Sequence, residues 1–249
     1  MRAHGAIDRE MALREFKWAC RAFRVSPAPS PPDQEPGTSA HQPTDAKGVP
    51  SKRGGFTLKS LVKQFFVLVA RIAVFPAACL TGFGRWHESF LFFAHAAALA
   101  PGIPGNYLRA AYYAFTLESV GRDCHIAFGT FFAHSSASLG DRVGIGAFCI
   151  LGQVDIGEGT LFASQVQVLS GRKQHRRDAE GHLTDDGRCF RRISIGAHCW
   201  IGGGAIIMAD IGAKATVGSG SVVTQDVPAG ATVSGNPARS LPVESKPLS

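Results

Sequence analysis

Aliphatic residues followed by glycine recur along the C-terminal half of the chain, usually at a step of six positions. The pairs are Val120-Gly121, Leu139-Gly140, Ile145-Gly146, Leu151-Gly152, Ile156-Gly157, Ile195-Gly196, Ile201-Gly202, Ile211-Gly212 and Val217-Gly218. Aliphatic or aromatic residues without a following glycine continue the step at Ile126, Phe132, Phe162, Val168, Ile207 and Val223. An amphipathic helix repeats at about 3.6 residues and a half-buried strand at about 2, so this pattern indicates neither.

Six residues supply one short strand and one turn, and three such units close a triangular coil that stacks on its neighbours. We therefore predict a mainly β fold, a parallel β-helix of hexapeptide repeats, over residues 119–241. The glycine after each aliphatic residue is expected to relieve crowding where the chain turns a corner. The regular step ends after Val168, so a loop over residues 170–192 is predicted to leave the β-helix there. The period does not explain the four-residue step from Ile207 to Ile211.

An apolar helical region is predicted ahead of the repeats, over residues 56–118. Its two most apolar stretches cover residues 61–83 and 90–103, and each is near the roughly 17 to 25 residues that span a bilayer. Arg71 interrupts the first stretch and His95 the second. In one arrangement these stretches contact the membrane or re-enter it as a hairpin; in the other they pack on the soluble domain or on a neighbouring subunit. The flanking basic residues favour the membrane, as anchors at its cytoplasmic face: Lys52, Arg53, Lys59, Lys63 and Arg109.

Residues 1–25 are compatible with a short basic amphipathic helix around Phe16, Trp18 and Phe23, but residues 26–55 contain PAPSPPDQEPG and too little apolar surface to fold. We therefore predict a flexible, disordered tail over residues 1–55, with a second tail at 242–249. Charged residues interrupt any apolar signal-peptide segment near the N-terminus. The 29 glycines, against 3 tyrosines and 3 tryptophans, fit small repeating units with many turns. The formal charge of +7 does not identify a partner, but no nucleic-acid-binding motif accompanies it. The six cysteines include no CxxC pair and are expected to be buried thiols in a reducing cytoplasm.

The last repeats of the chain, residues 193–241, have the sequence ISIGAHCWIGGGAIIMADIGAKATVGSGSVVTQDVPAGATVSGNPARSL. This segment resembles the C-terminal coils of the hexapeptide-repeat (left-handed β-helix) acyltransferase superfamily, and in particular those of sugar and exopolysaccharide O-acetyltransferases. The closing GNPAR at 235–239 is the most distinctive part, and the resemblance extends back to about Gly121. It implies a left-handed coil, a homotrimer, and active sites between neighbouring subunits. The segment PGIPGNYLR after the apolar stretches further resembles acetyltransferases of surface-polysaccharide assembly.

The resemblance also implies a catalytic histidine at the start of the loop, about two dozen residues before the tryptophan of the next coil. His175 precedes Trp200 by that interval. An alcohol needs a positioned base to take its proton, and histidine suits that role near neutral pH. His182 in the same loop and His134 are the competing candidates, and an ordinary solvated loop histidine is the alternative to all three.

Coenzyme A carries a diphosphate and a 3′-phosphate, so its site should present backbone N–H groups and basic side chains. The loop supplies seven basic residues: Arg172, Lys173, Arg176, Arg177, Arg188, Arg191 and Arg192. By family position the resemblance implies that Gly203, Ser219, Thr224 and Arg239 contact coenzyme A. Trp200 is placed beside the pantetheine arm, although packing explains it as well. Gln225 stands where relatives commonly have lysine, so one phosphate contact is expected to be lost or replaced.

The function that follows is an acyltransferase moving acetyl from acetyl-CoA to a hydroxyl of a sugar or lipid-linked surface-polysaccharide precursor, without a metal, at the inner face of the cytoplasmic membrane. A non-catalytic trimeric scaffold and an amine N-acyltransferase remain as alternatives. A zinc hydratase on the same coil would need converging histidines, which its family spaces as HxxxxH, and the sequence has no such pair. A nucleotidyltransferase would need a nucleotide-binding domain with a Gly-rich loop, and residues 1–119 contain none.

Overall fold

The computed structural model describes residues 58–171, 176–184 and 190–242. The chain divides into two compact units, residues 1–64 and 65–249. Of the first unit only the opening residues of a helix are described, and the second contains the rest of that helix and all other elements. The predicted tails at 1–55 and 242–249 lie almost wholly outside the described residues, as does the loop segment that contains His175.

Three helices precede the β-structure: α1 (Leu58–Leu80), α2 (His87–Ala98) and α3 (Gly102–Thr116). Among the described residues one segment, Leu61–Leu80, is long and apolar enough to cross a membrane by length and composition alone. Helix α1 lies along α3, because Phe66 stacks on Tyr107 and Phe75 meets Phe115 edge-on, both at 5.9 Å between ring centroids.

Arg109 on α3 joins the helices to the β-structure, and it is fully buried. Its guanidinium donates to the carbonyl oxygens of Ala97 and Ala100 at the end of α2, at 3.1 and 2.7 Å, and to Ile126 O at 2.9 Å. These carbonyls belong to the end of α2 and to the first coil, so one buried cation hydrogen bonds to both elements. The prediction that Arg109 anchors the chain at a membrane surface is therefore wrong: the side chain is used inside the protein.

The β-structure is a parallel β-helix with three faces, as predicted, and its strands are numbered here in chain order. Face A contains β1 (Ser119–Val120), β4 (Ser138–Leu139), β7 (Val154–Ile156) and β12 (Ile193–Ile195), and isolated bridges at Ile211 and Val227 extend it. Face B contains β2 (His125–Ile126), β5 (Gly144–Ile145), β8 (Leu161–Phe162), β13 (Trp200–Ile201), β15 (Thr216–Val217), β17 (Thr232–Ser234) and the antiparallel β18 (Arg239–Ser240). Face C contains β3 (Phe131–Phe132), β6 (Ile150–Leu151), β9 (Gln167–Val168), β14 (Ile206–Ile207) and β16 (Val222–Val223).

The six-residue step holds at two corners of the β-helix and fails at the third. From face A to B to C the inward residues are always six apart, as in 139, 145 and 151 or 195, 201 and 207. From face C back to face A the step is seven residues from 132 to 139, five from 151 to 156, and four from 207 to 211 and from 223 to 227. The unexplained step after Ile207 is thus a recurring short C–A corner, and the long loop leaves from this same corner.

The glycine that follows an inward aliphatic residue relieves crowding, as predicted, and the crowding comes from the adjoining coil. Gly146 is typical: it is not among the residues with positive φ, but an added Cβ would stand 2.5 Å from the carbonyl carbon of Ala163 in the next coil. The left-handed turn conformation is found two positions after this glycine, as at Phe148 and Gly204. Close approach between stacked coils therefore selects the glycine, and the turn itself does not.

A second periodic position lies two residues before the inward residue, and on faces B and C it mostly holds small buried side chains. Thr130 and Thr160 are examples, and their hydroxyls donate to the carbonyl oxygens of Gly146 and Gly196 in the next coil at 2.6 and 2.7 Å. Cys149 and Cys199 occupy the same position and are buried as expected.

The expectation of buried thiols fails for Cys79, which is exposed on α1. Burial raises the pKa of the Cys124 thiol to about 11. Cys20 and Cys189 lie outside the described residues.

Candidate active site

The long loop leaves and rejoins the β-helix through a narrow neck at the C–A corner. Arg191 N donates to Ser170 O at 2.9 Å, and Ser170 Oγ accepts from Gln153 N at 2.9 Å. Between these ends, β10 (Arg176–Arg177) and β11 (Leu183–Thr184) form an antiparallel hairpin. The neck fixes both ends of the loop on the β-helix, so the loop is an insertion into an otherwise continuous coil stack.

Two arginines hold the neck through ion pairs with carboxylates on face A. Arg191 lies 2.5 Å from Asp210 and 3.9 Å from Asp226. Arg192 lies 2.6 Å from Glu118 and 3.4 Å from Asp155. Both guanidiniums have carboxylate partners within the chain, which offset part of their charge at the neck. Contact between these arginines and coenzyme A phosphates, or an acidic glycan or lipid phosphate, stays a prediction.

Three of the carboxylates at the neck share one position in the repeat, directly before the inward residue of face A. Asp226 follows Asp210 by sixteen residues, the same step that joins Ile211 to Val227. Asp155 occupies the equivalent position before Ile156. The sequence analysis missed these pairs, although the recurrence of aspartate at the coil step is a signal that could have revealed them.

Two of the three candidate histidines, His182 and His134, lie within the described residues. His175 lies outside the described residues. His182 is in the exposed turn of the hairpin, where its backbone N–H donates to Asp178 Oδ1 at 2.7 Å and its ring nitrogen lies 3.3 Å from Asp178 Oδ2.

His134 lies beside the neck, with its ring centroid 4.8 Å from that of Phe190, and it stacks on His87 of α2 at 5.4 Å. Burial, and secondarily the neighbouring His87, lowers the pKa of His134. A histidine that stays neutral near pH 7 can accept a proton, so the structure retains His134 as a candidate base. Its contact with Phe190 was not predicted from the sequence.

The predicted coenzyme A residues lie at two corners of the β-helix. Gly203 and Ser219 are on the B–C corner in successive coils, where Gly220 N donates to Gly203 O at 2.8 Å and Gly204 N donates to Ser164 O at 3.0 Å. Arg239 is exposed on β18, opposite Ser234 on β17. The structure therefore brings these three residues to the last coils of face B and its B–C corner.

Thr224 and Trp200 lie elsewhere. Thr224 directly follows β16 and begins the C–A corner that also carries Asp226. Trp200 points outward from face B with 47% of its surface exposed, between Leu161 and Thr216 of the adjoining coils. Since about half of the indole surface is left uncovered by the described residues, it is available to a ligand or a neighbouring molecule. Among the residues that the structure describes, no cluster of three or more His, Cys, Asp or Glu side chains could hold a metal ion.

The repeat and the fold both have known counterparts. The family described as "Hexapeptide repeat of succinyl-transferase" matches residues 192–225. A maltose O-acetyltransferase from Clostridium difficile 630 superposes with a TM-score of 0.53 at 23% identity, covering 62% of this chain and 84% of its own. A variant of perosamine N-acetyltransferase from Caulobacter crescentus, in complex with CoA and GDP-perosamine, gives 0.39 at 19% identity and 50% of each chain. AntD, an N-acyltransferase from Bacillus cereus, in complex with dTDP and 3-hydroxybutyryl-CoA, gives 0.35 at 19% identity, covering 50% of this chain and 82% of its own. No curated protein sequence matches significantly.

Proposed function

We propose that this chain, whose β-helix carries the hexapeptide repeat found in acyltransferases, is an acyl-CoA-dependent O-acetyltransferase acting on a hydroxyl of a sugar or surface-polysaccharide precursor. The observation that carries the proposal is the loop at the C–A corner, where a step of four to seven residues becomes one of twenty-seven, from Val168 to Ile195. This loop contains His175 and is tied down at both ends. The shared fold with a maltose O-acetyltransferase supports the same class of reaction.

The proposed chemistry is a direct transfer. His175 takes the proton of the acceptor hydroxyl as its oxygen attacks the thioester carbonyl. Backbone N–H groups stabilise the resulting oxyanion. The tetrahedral intermediate then expels the coenzyme A thiolate, which takes the proton from the imidazolium, leaving an O-acetyl ester and free coenzyme A. No metal takes part.

We infer that the complete site needs a second copy of the chain, as expected for a homotrimer. Gly203 and Ser219 lie on the B–C corner, whereas the loop and Thr224 belong to the C–A corner, so face C separates the two groups within one chain. The outward residues of face C are mostly apolar, whereas those of face A are serine and aspartate. The residues of face C are Phe131, Ile150, Gln167, Ile206 and Val222, and those of face A are Ser119, Ser138, Asp155 and Ser194. An apolar outward row favours an interface between subunits, which would bring different corners together.

The reaction is tested by following thiol release from acetyl-CoA with a panel of sugars, nucleotide-linked and lipid-linked sugars, including amino sugars. Wild-type protein is expected to release thiol only with an acceptor, and His175→Ala to lower the rate by at least about 10²-fold. His182→Ala is the matched control, because it changes an exposed histidine of the same loop. Equal loss in both variants would contradict the assignment of the base. Release with amino sugars alone would favour N-acylation. The absence of both thiol release and coenzyme A binding would favour the scaffold.

The shared site is tested by mixing two inactive variants, His175→Ala and Arg239→Ala, and refolding them together. If one chain supplies the base and its neighbour the arginine, about a quarter of all sites formed by random assembly of an equimolar mixture contain both intact residues. Recovered activity is the expected result. Failure to recover activity, with mixed trimers demonstrated by mass spectrometry, would place both residues in a site within one chain.

A further inference from the structure

Helix α1 presents a broad apolar surface away from the protein. Its inward side is a row of small residues at four-residue spacing, Ala70, Val74 and Ala78, which are buried. On the outward side Phe65 is 62% exposed and Ile72 is 64% exposed. The other exposed large apolar side chains of this surface are Leu68, Val69 and Leu80, and Phe66 and Phe75 lie at its margins, where they also contact α3. A contiguous apolar surface of this kind indicates an interaction site, since isolated exposed leucines are common but rows of them are not.

The turn after α1 extends this surface with aromatic residues. Phe83 is exposed, and Trp86 is 62% exposed. Arg85 lies between them, and the sequence from residue 61 to residue 87 contains no aspartate or glutamate. Tryptophan and basic residues at the margin of an apolar surface are typical of segments at the lipid–water interface. The basic residues of this segment are complementary in charge to an anionic lipid surface.

The packing of α1 decides its orientation. Phe66 and Phe75, nine residues apart, contact Tyr107 and Phe115 of α3, so α1 is held beside α3 at two points. Helix α3 is in turn fixed to the first coil, through Arg109 to Ile126 O and through the Tyr113 hydroxyl, which accepts from Phe132 N at 3.2 Å. A crossing of the bilayer by α1 would therefore pull α3 and polar parts of the β-helix into the hydrocarbon. Backbone and charged groups there carry a large energetic penalty.

We propose that the outward surface of α1, together with the turn from Phe83 to Trp86, binds in the plane of an anionic lipid bilayer surface, with the helix axis parallel to the membrane. The helix embeds its apolar side at the boundary between headgroups and acyl chains and does not cross the bilayer. This proposal is independent of the acyltransferase activity. It chooses between the two arrangements that the sequence left open, and it selects the membrane contact without a transmembrane span.

Sedimentation of the full-length protein with lipid vesicles tests the proposal. Vesicles of phosphatidylcholine alone are compared with vesicles that also contain phosphatidylglycerol. Wild-type protein is expected to sediment with the anionic vesicles, and the double variant Phe65→Glu/Ile72→Glu to reduce the partition coefficient by roughly a hundredfold or more, since two large apolar contacts are lost. Leu241→Glu is the matched control, because Leu241 is also an exposed apolar residue, at 47%, but lies at the other end of the described chain. It should bind like the wild type.

A second measurement does not depend on charge insertion into α1. Lipids brominated at a shallow acyl position are expected to quench tryptophan fluorescence in the wild type more than in Trp86→Phe, and deep bromination to quench little. Wild-type protein that stays in the supernatant overturns the proposal. So does quenching that is strongest at the bilayer centre, which would indicate a spanning helix. A smaller oligomer of the double variant in size-exclusion chromatography, without vesicle binding by the wild type, would instead assign the surface to a second copy.

Discussion

The A–B and B–C corners of the β-helix differ from the C–A corner in the number of residues that separate successive inward positions. At the first two, inward residues are six apart in every coil, whereas at the third the step is four, five, seven or twenty-seven. The regular corners contain the close glycine approaches between coils, as at Gly146. The irregular corner contains the loop neck, its ion pairs and His134. A constant step of six residues at two corners maintains the coil stack. The third corner has no fixed step, so it can accommodate the inserted loop.

Removal of the loop should produce the largest difference between the corners. Replacing residues 172–190 with a short Gly-Ser link is expected to leave the thermal midpoint within about 4 °C of wild type, because Ser170 and Arg191 are already hydrogen bonded. Acetyl transfer should fall by at least about 10²-fold, since the proposed base is removed. Thermal unfolding and the thiol-release assay measure the two effects. Retained activity would show that the base lies outside the loop, and loss of folding would show that the C–A corner is not tolerant.

Substitution of glycine at a regular corner should have the next largest effect. Gly146→Ala places a Cβ 2.5 Å from the Ala163 carbonyl carbon, so the coils must separate, at a cost of about 2 to 3 kcal/mol in unfolding free energy. Gly230→Ala is the control: it has φ of 71° and nothing within 4 Å of the added Cβ, so only backbone strain of about 1 kcal/mol is expected. Denaturant unfolding compares them. A larger effect at Gly230 would mean that turn conformation limits stability more than coil spacing does.

Removal of a surface ion pair should have a smaller effect on the unfolding free energy. Only removal at the C–A corner should also change the protease sensitivity of the loop. Arg191→Met removes the pairs to Asp210 and Asp226, and Arg142→Met removes the pair to Glu158 near a regular corner. Each should lower the unfolding free energy by less than about 1 kcal/mol, because the charges are partly exposed. Only Arg191→Met should increase the rate of protease cleavage within residues 171–190, since it loosens the neck. Equal cleavage in both variants would contradict a role for Arg191 in holding the loop.

The pH dependence at His134 should be the smallest effect. Because burial and His87 lower its pKa, the folded protein binds this proton less tightly than the unfolded chain does. Protonation of His134 in acid therefore favours the unfolded chain. The free energy of unfolding is unaffected above the unfolded pKa of about 6.5, and it decreases as the pH falls from there towards the lowered folded pKa. His134→Gln should reduce the loss of thermal stability between about pH 7 and pH 5, and His182→Gln should not. An unchanged pH profile in His134→Gln would show that other groups cause the loss.

The sequence allowed the fold to be predicted well, because a six-residue step is incompatible with a helix or an isolated strand. The repeat, the faces it forms and the loop after Val168 were all inferred from the spacing of inward residues along the chain. The role of Arg109 could not be read in this way, since the carbonyls that it satisfies come from α2 and the first coil. The candidate site was predicted in parts. His175 remains a prediction, and Arg191 and Arg192 proved to be engaged with carboxylates.

The sequence by itself determined the periodic elements: inward aliphatic residues, the glycines after them, and the point where the loop begins. These follow from local chain geometry and from the need to bury an apolar residue once per strand. The tertiary structure decided why the glycines are required, which corner accepts insertions, and which charges are already paired. It also decided that α1 lies along α3 with its apolar side outward. Those properties depend on distances between residues that are remote in the chain, and such distances are set only when the coils stack and the helices pack.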